Sequence, residues 1–477
     1  MYTWQIINQR NSWEAYSDGS GARVLAVDFM VMNCALYTPY EDMPVYQHSS
    51  INYLSLLPVY FISQKMPTNN FSTTPLHQHY DVVIIGGATS GSSIAWHLST
   101  NPDFKGSVLV VERDPSLQYS ATKASNNCMR QQFATAINIQ IAQYAAEFVK
   151  RFGPEFPPDG CMGTHFRAPI RNFGYLFLSD SSKSTEIFEM DQKLQASYGA
   201  GTRMLSTEDI KTKYPFFHTD GIDSGSLNLV DEGAFNAFGM VQWLRSTARD
   251  NGVEYIANEV IDMDLDDGHN KVRSIKLRTG EEITIDTPVN AAGTRAATVA
   301  QLAGITGLPI EARRRYTYIF SVDEPLSQDL PLTIDPTGVH LRSYGVKDYL
   351  VGCPPIGPDT AVDVNDFRFA ENVWDEKILP VITHRIPQFA GARVADSWMG
   401  HYEFNTFDHN AIVGPHSEIS NFLFCAGFSG HGSQQAPACG RGVAELIVYK
   451  EFRSLDLSML SYRRIEENRS LLERAVI

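Results

Sequence analysis

From Tyr80 onward the chain alternates unbroken apolar runs with stretches of helical periodicity. Val82–Ile85 is apolar throughout, as in a parallel strand buried on both faces. Ser92–Ser99 places Ile94, Ala95 and Leu98 on one helical face, and Ser107–Val111 is a second apolar strand ending at Glu112. Together these three segments predict a βαβ unit. Ala136–Phe152 reads as a long amphipathic helix, and Phe235–Asn251 has the same period. Val253–Ile256, Glu259–Leu265 and Ile283–Asn290 read as strands, the last running into Ala291-Ala292-Gly293. Residues 170–230 mix short strands and helices, and 310–400 carry alternating strands such as Tyr316–Val322 and Tyr349–Gly352. A last helix is expected over Ala436–Lys450.

Residues 1–78 do not share this pattern. They hold two short apolar runs, Val24–Tyr37 and Ile51–Ile62, and their acidic residues argue against a mitochondrial presequence. Met66 opens a polar stretch leading into the first strand, so Met66 reads as a natural start and the residues before it as a poorly ordered extension. The chain of 477 residues has ample apolar content for a large core, at 43% hydrophobic and 19% charged. Its net charge of -15 argues against nucleic acid or anionic membrane as the main partner. Six scattered cysteines contain no CxxC pair, so no metal site is expected and the thiols read as reduced. No run is long enough to span a membrane. Without a readable address at either end, cytoplasm is the default compartment.

Two glycine-rich segments carry the chemistry. The first is Gly86-Gly87-Ala88-Thr89-Ser90-Gly91, between strand and helix. Gly86 makes the tight turn, Ala88 takes the place where backbone approaches a pyrophosphate, and Gly91 lets helix pack on strand. The helix N-terminus supplies free N–H groups and partial positive charge. Glu112, followed by Arg113, ends the second strand and is placed to accept from ribose hydroxyls. The second segment, Gly427-Phe-Ser-Gly430-His431-Gly432-Ser433, is suited to lie against a flat ring and offer N–H groups to it. A nicotinamide cofactor alone leaves that second loop without a purpose. One cofactor long enough to touch both is FAD. The expected fold is α/β (α+β overall), a Rossmann-like FAD-binding domain with an interleaved substrate domain on a mostly antiparallel sheet. Its segments are 79–165, 235–310 and 405–460 for FAD, 166–234 and 311–404 for substrate, and 461–477 as a C-terminal tail.

These segments resemble the D-amino-acid oxidase superfamily of FAD enzymes. The branch is that of sarcosine oxidase, dimethylglycine dehydrogenase and the FAD-dependent oxidoreductase domain-containing proteins. The matching stretches are the Gly86 fingerprint, Ser120–Phe133, Asn290–Gly293, Trp398–Tyr402 with Asp408, and the Gly427–Gly432 loop, in family order. The resemblance implies that Ser120, Thr122, Ser125 and Arg130 line the pyrophosphate and isoalloxazine. Val260 would touch adenine, Ala291, Ala292 and Gly293 the phosphates, and Gly430 to Ser433 the flavin pyrimidine, with His431 donating a hydrogen bond there. The implied reaction is hydride transfer from a carbon next to an amine nitrogen to flavin N5, giving an imine that hydrolyses. His431, Arg130 and Tyr402 are the catalytic candidates. Oxygen or another acceptor would take the electrons.

The chain departs from the family where relatives hold a substrate carboxylate. Gln434 stands where sarcosine oxidases have a lysine, Phe133 where they have a second arginine, and Tyr402 near the arginine of glycine oxidases. Arg342, or less readily Arg313–Arg315, would take an acid from another direction or simply be solvated. Phe133, His401, Tyr402 and Gln434 would then line the substrate pocket. Gly400 replaces the cysteine that carries flavin covalently in sarcosine oxidases, which implies non-covalent FAD. No lysine occurs in Val351–Phe367, where those oxidases activate oxygen, although Lys347 is near enough in sequence to reach the ring. Two other readings stay open: FAD-dependent oxidation of a 2-hydroxy acid, and a flavin-bearing assembly factor.

Overall fold

A computed structural model describes residues 71–156 and 169–476. The proposed start at Met66 and the extension before residue 71 lie outside them. Residues 71–78, expected with that extension, are built in. Phe71 is buried in the main core, and Ser72 bridges to Ile256.

The first sheet has eight strands around the fingerprint. His79–Ile85 runs parallel to Val108–Glu112 on one side and Glu282–Asn290 on the other, and Val108–Glu112 is parallel to Glu254–Ala257. Side chains alternate between the two faces: Val82 and Ile84 enter one hydrophobic cluster, Val83 and Ile85 the other. That is why this strand reads as unbroken apolar. Glu282–Asn290 is shared. Its start pairs antiparallel with Val272–Leu277, and its end pairs parallel with Leu423–Ala426. The fingerprint helix starts at Thr89, ahead of the expected Ser92. It packs on Gly432–Tyr449, where the Ser93 hydroxyl donates to Ala436 O at 2.8 Å and Gly440 leaves no room for a side chain.

A second eight-stranded sheet runs Arg393–Asn405, Ile310–Ser321, Asp348–Cys353, His340–Ser343, Leu332–Ile334, Tyr175–Ser179, Ser224–Asn228, Arg203–Ser206. Every pairing in it is antiparallel except Leu332–Ile334 with Tyr175–Ser179. The fold is thus mixed α/β, with a mostly parallel sheet for the fingerprint and a mostly antiparallel one beside it. The expected helix over 136–152 is present at those bounds. Gly432–Tyr449 is not the last helix: a short one follows at Arg463–Glu466.

The residues after 460 are partly core. Asp408, a family-motif residue, is fully buried and accepts from Arg464 Nε at 2.8 Å and Nη2 at 3.0 Å. Buried Glu473 accepts from Ala134 N at 2.8 Å, the Thr135 hydroxyl at 2.9 Å and the Asn138 amide at 2.9 Å. Removing one member of a buried ion pair strands the other charge. Arg464→Met is therefore expected to lower stability by about 3–5 kcal/mol, read as a fall in the urea midpoint with unchanged slope.

Candidate active site

A cavity of about 510 Å³ is lined by both glycine-rich segments. At one end it touches Glu112, Arg113 and Val260; at the other Arg130, Tyr402 and His431. Between them lie Gly86, Ala88, Thr89, Ser90, Ser120, Thr122, Ser125 and the Ala291–Gly293 turn.

The fingerprint turn is set by geometry. Gly86 has φ +104°, and a Cβ there would meet the Ala291 carbonyl. Gly91 is pressed against Gly86 O, as its packing role requires. Gly87 and Gly91 do not line the cavity. The Gly87 N–H instead points at Glu112 Oε2, 2.7 Å away, while Asp114 N–H donates to Oε1 at 2.8 Å. Burial raises the Glu112 carboxyl above its ordinary range, against the pull of those two N–H groups. Thr89 and Thr122 hydroxyls join at 2.6 Å, tying the helix start to the segment that Ser120 caps.

The other end is built on Arg130. Its Nη2 donates to His431 Nε2 at 2.8 Å, and it also bonds the carbonyls of Gln132 and Ala475. An arginine only donates, so His431 Nε2 must carry the lone pair. Burial, and then the Arg130 charge, drive the His431 pKa well below its usual value, so the ring is neutral. His431 thus accepts from Arg130 through Nε2. Gln434 clamps the Arg130 backbone, its Oε1 accepting from Arg130 N at 2.8 Å and its Nε2 donating to Arg130 O at 3.2 Å.

Tyr402 and Arg315 face each other across two strands. Arg315 Nη2 donates to Tyr402 OH at 2.6 Å, and its guanidinium lies 4.5 Å from the ring centroid. Burial pushes the Tyr402 phenol up to about 12. Arg315 also pairs with Asp359 at 2.9 Å. His401 lines the cavity and stacks on Phe367 at 4.5 Å.

Several expected positions fall elsewhere. Phe133 does not line the cavity; it is buried beneath the Arg130 guanidinium, 4.1 Å from its ring centroid. Arg342 is neither solvated nor in the cavity. It is fully buried and donates to Ser343 O and Asn126 O at 3.0 Å each. Gly427 turns at φ +80° behind the wall, donating to Glu403 Oε2 at 3.0 Å. Lys347 is exposed and donates to Asp323 O at 2.7 Å, away from the cavity. Among the described residues no lysine lines it.

Sequence reading missed Asn126, His340 and Glu403, all on the cavity wall. Asn126 bonds His340 Nε2 at 3.0 Å and accepts from Thr317 at 3.1 Å. Burial drives the His340 pKa down to about 4. His340 and Glu403 lie on separate strands of the second sheet and Asn126 in the loop after Ala121–Ala124, with no local motif linking them, so only the tertiary fold brings them together.

The cavity therefore offers a glycine turn with no space for a Cβ, a helix N-terminus on each side, an acid at one end and a guanidinium at the other. This donor set fits a long, doubly anionic cofactor with a flat ring.

Comparisons with known proteins agree. The family model described as FAD dependent oxidoreductase (DAO) matches residues 81–446. FAD-dependent oxidoreductase domain-containing protein 1 of Xenopus laevis is 34% identical, covering 83% of this chain and 85% of its own. Mitochondrial sarcosine dehydrogenase of Homo sapiens is 25% identical, covering 84% of this chain and 44% of its own. Among solved structures, L-proline dehydrogenase from P. horikoshii superposes with a TM-score of 0.70 at 25% identity, covering 83% of this chain and all of its own. Among the described residues no helix is long and apolar enough to cross a membrane. With both glycine segments on one cavity and this match along most of the chain, the protein belongs to the DAO family and is an FAD-dependent oxidoreductase.

Proposed function

We propose that this enzyme oxidises the carbon–nitrogen bond of a secondary or N-methyl amine of amino-acid type, to an imine that hydrolyses. The observation that carries this reading is the buried Arg130 guanidinium against neutral His431. None of its hydrogen bonds goes to a carboxylate: the acceptors are two backbone carbonyls and an imidazole. Its positive charge disfavours an ammonium beside it, so the substrate binds as the free amine whose lone pair drives oxidation. The same charge stabilises negative charge that develops during the reaction. FAD supplies the hydride acceptor. The named activities of two relatives, sarcosine dehydrogenase and L-proline dehydrogenase, support an amine substrate. Arg315, rather than Arg342, is our candidate to take a substrate acid: it lines the cavity and bonds Tyr402, and the acid would displace its pairing with Asp359.

The test is anaerobic addition of N-methyl and cyclic secondary amino acids, with 2-hydroxy acids alongside. Bleaching of the flavin band at ~450 nm by an amine is expected. Bleaching by hydroxy acids alone overturns the reading. FAD is read as dissociable, since Gly400 leaves no space beside the Ala124 methyl for a side chain that could bond the ring. Acid precipitation is expected to leave all flavin in the supernatant. That no lysine among the described residues lines the cavity supports an electron acceptor other than dioxygen. Photoreduced enzyme is expected to reoxidise slowly in air-saturated buffer and quickly with a quinone dye.

A further inference from the structure

We infer that Glu403 meets the bound cofactor as a protonated carboxyl that donates a hydrogen bond from the cavity wall, so that this protein takes up a proton together with FAD. Glu403 sits on the long strand Arg393–Asn405, is buried, and lines the cavity. Its Oε2 accepts from Gly427 N–H at 3.0 Å, and the Phe428 backbone also faces it. Among the described residues none forms an ion pair with it. A Cβ on Gly293 would lie 3.9 Å from Oε2, so the acid looks toward the Ala291–Gly293 turn.

The surroundings give no charge to offset an ionised acid. Across the sheet Glu403 is paired with Ala312, flanked by Glu311 and Arg313, which pair with each other at 3.0 Å. On its own strand, His401 is kept neutral by burial and Tyr402 is held by Arg315. From the glycine loop side come the Cys425 thiol, pushed far up by burial, and neutral His431. In the turn that starts at Gly293, Arg295 lines the cavity and donates to Asn365 Oδ1 at 2.5 Å. Burial accordingly raises the Glu403 carboxyl to about 7, against the pull of the Gly427 and Phe428 N–H groups. A diphosphate and an electron-rich flavin brought into this cavity add negative charge, and none of the guanidiniums that line it (Arg113, Arg130, Arg295 and Arg315) is paired with Glu403. An ionised Glu403 would repel them, whereas a neutral one gives them an O–H donor.

The consequence is a pH-dependent affinity with a fixed sign. The bound state holds the proton, so FAD binding weakens as pH rises through the apo-protein's titration. The experiment is a fluorescence titration of stripped protein with FAD at pH 6 and pH 8.5. The wild type is expected to bind about thirtyfold more weakly at pH 8.5, with proton uptake seen as a buffer-dependent binding heat. Glu403→Gln keeps a donor and has no proton to lose. It is expected to bind at both pH values within ~threefold of the wild type at pH 6. A flat wild-type profile, or loss of affinity in Glu403→Gln at every pH, overturns the proposal and makes the residue an ionised acceptor. Glu232 is likewise raised to about 7 by burial but bonds Gln131, Gln132 and Asn228 behind the cavity wall. pH dependence that survives in Glu403→Gln would assign the effect there and also overturn the proposal. Should Glu403→Gln not fold, the wild-type profile and proton uptake decide alone. No substrate enters this test, so it stands apart from the amine reading. It rests on FAD being dissociable, and flavin retained by acid-precipitated protein reports that failure separately.

Discussion

Gly86→Val yields folded but colourless protein. Gly86 has φ +104°, where a β-branched residue is a rare outlier, and its added Cβ would strike the Ala291 carbonyl group. The strain of about 3 kcal/mol falls on the turn that holds the cofactor, so FAD affinity drops more than ~100-fold. The ratio of flavin to protein absorbance after gel filtration reads this directly. Gly280 makes the control: it has φ +106° but open space around its missing Cβ. Gly280→Asn is expected to keep its flavin. If both variants stay yellow, the turn does not hold FAD.

Arg130→Met keeps the flavin and loses the chemistry. Its guanidinium joins His431, the Gln132 carbonyl and the Ala475 carbonyl at the part of the cavity where the proposed reaction would take place. Removing a charge placed to stabilise developing negative charge costs ~10²–10³ in rate. Anaerobic stopped-flow reduction with the best amine measures it. The pH profile gives a second signature. Without the guanidinium the bound ammonium loses its proton less readily, so the rate of the variant rises toward higher pH than in the wild type. Arg130→Lys retains a charge but not the fork, and falls between the two. A rate change with no shift in the profile would reduce Arg130 to a structural role.

What was legible in the sequence follows from how local each signal is. Val82–Ile85, the Gly86 turn and Glu112 form one short unit, so hydrophobic runs and turn chemistry placed them correctly. The Gly427–Gly432 loop was legible for the same reason. The second sheet was only partly so. Its strands alternate clearly, but the pairing of Arg393–Asn405 with Ile310–Ser321 brings Arg315 to Tyr402 across many residues of chain. No spacing rule anticipates that contact. Arg342 illustrates the reverse error. An arginine looks exposed or functional in sequence, and here it is fully buried among backbone acceptors. Phe133 was placed in the right neighbourhood but one layer too near the cavity, because a residue name does not report which face of Arg130 it covers.

The shared strand Glu282–Asn290 has a consequence for how the protein is made. Its parallel neighbour Leu423–Ala426 is followed at once by the glycine loop, and the Arg130 side chain is tied to Ala475. Part of the cavity wall is thus translated well before the rest. A nascent chain carries the fingerprint turn long before it has anything to close it. Cofactor capture must then await the late strand and helix, which slot in against a waiting sheet. Until that moment the Val289–Asn290 end of the shared strand lacks its parallel partner, the interval in which this polypeptide is most exposed to misassembly and most in need of a chaperone or of FAD itself.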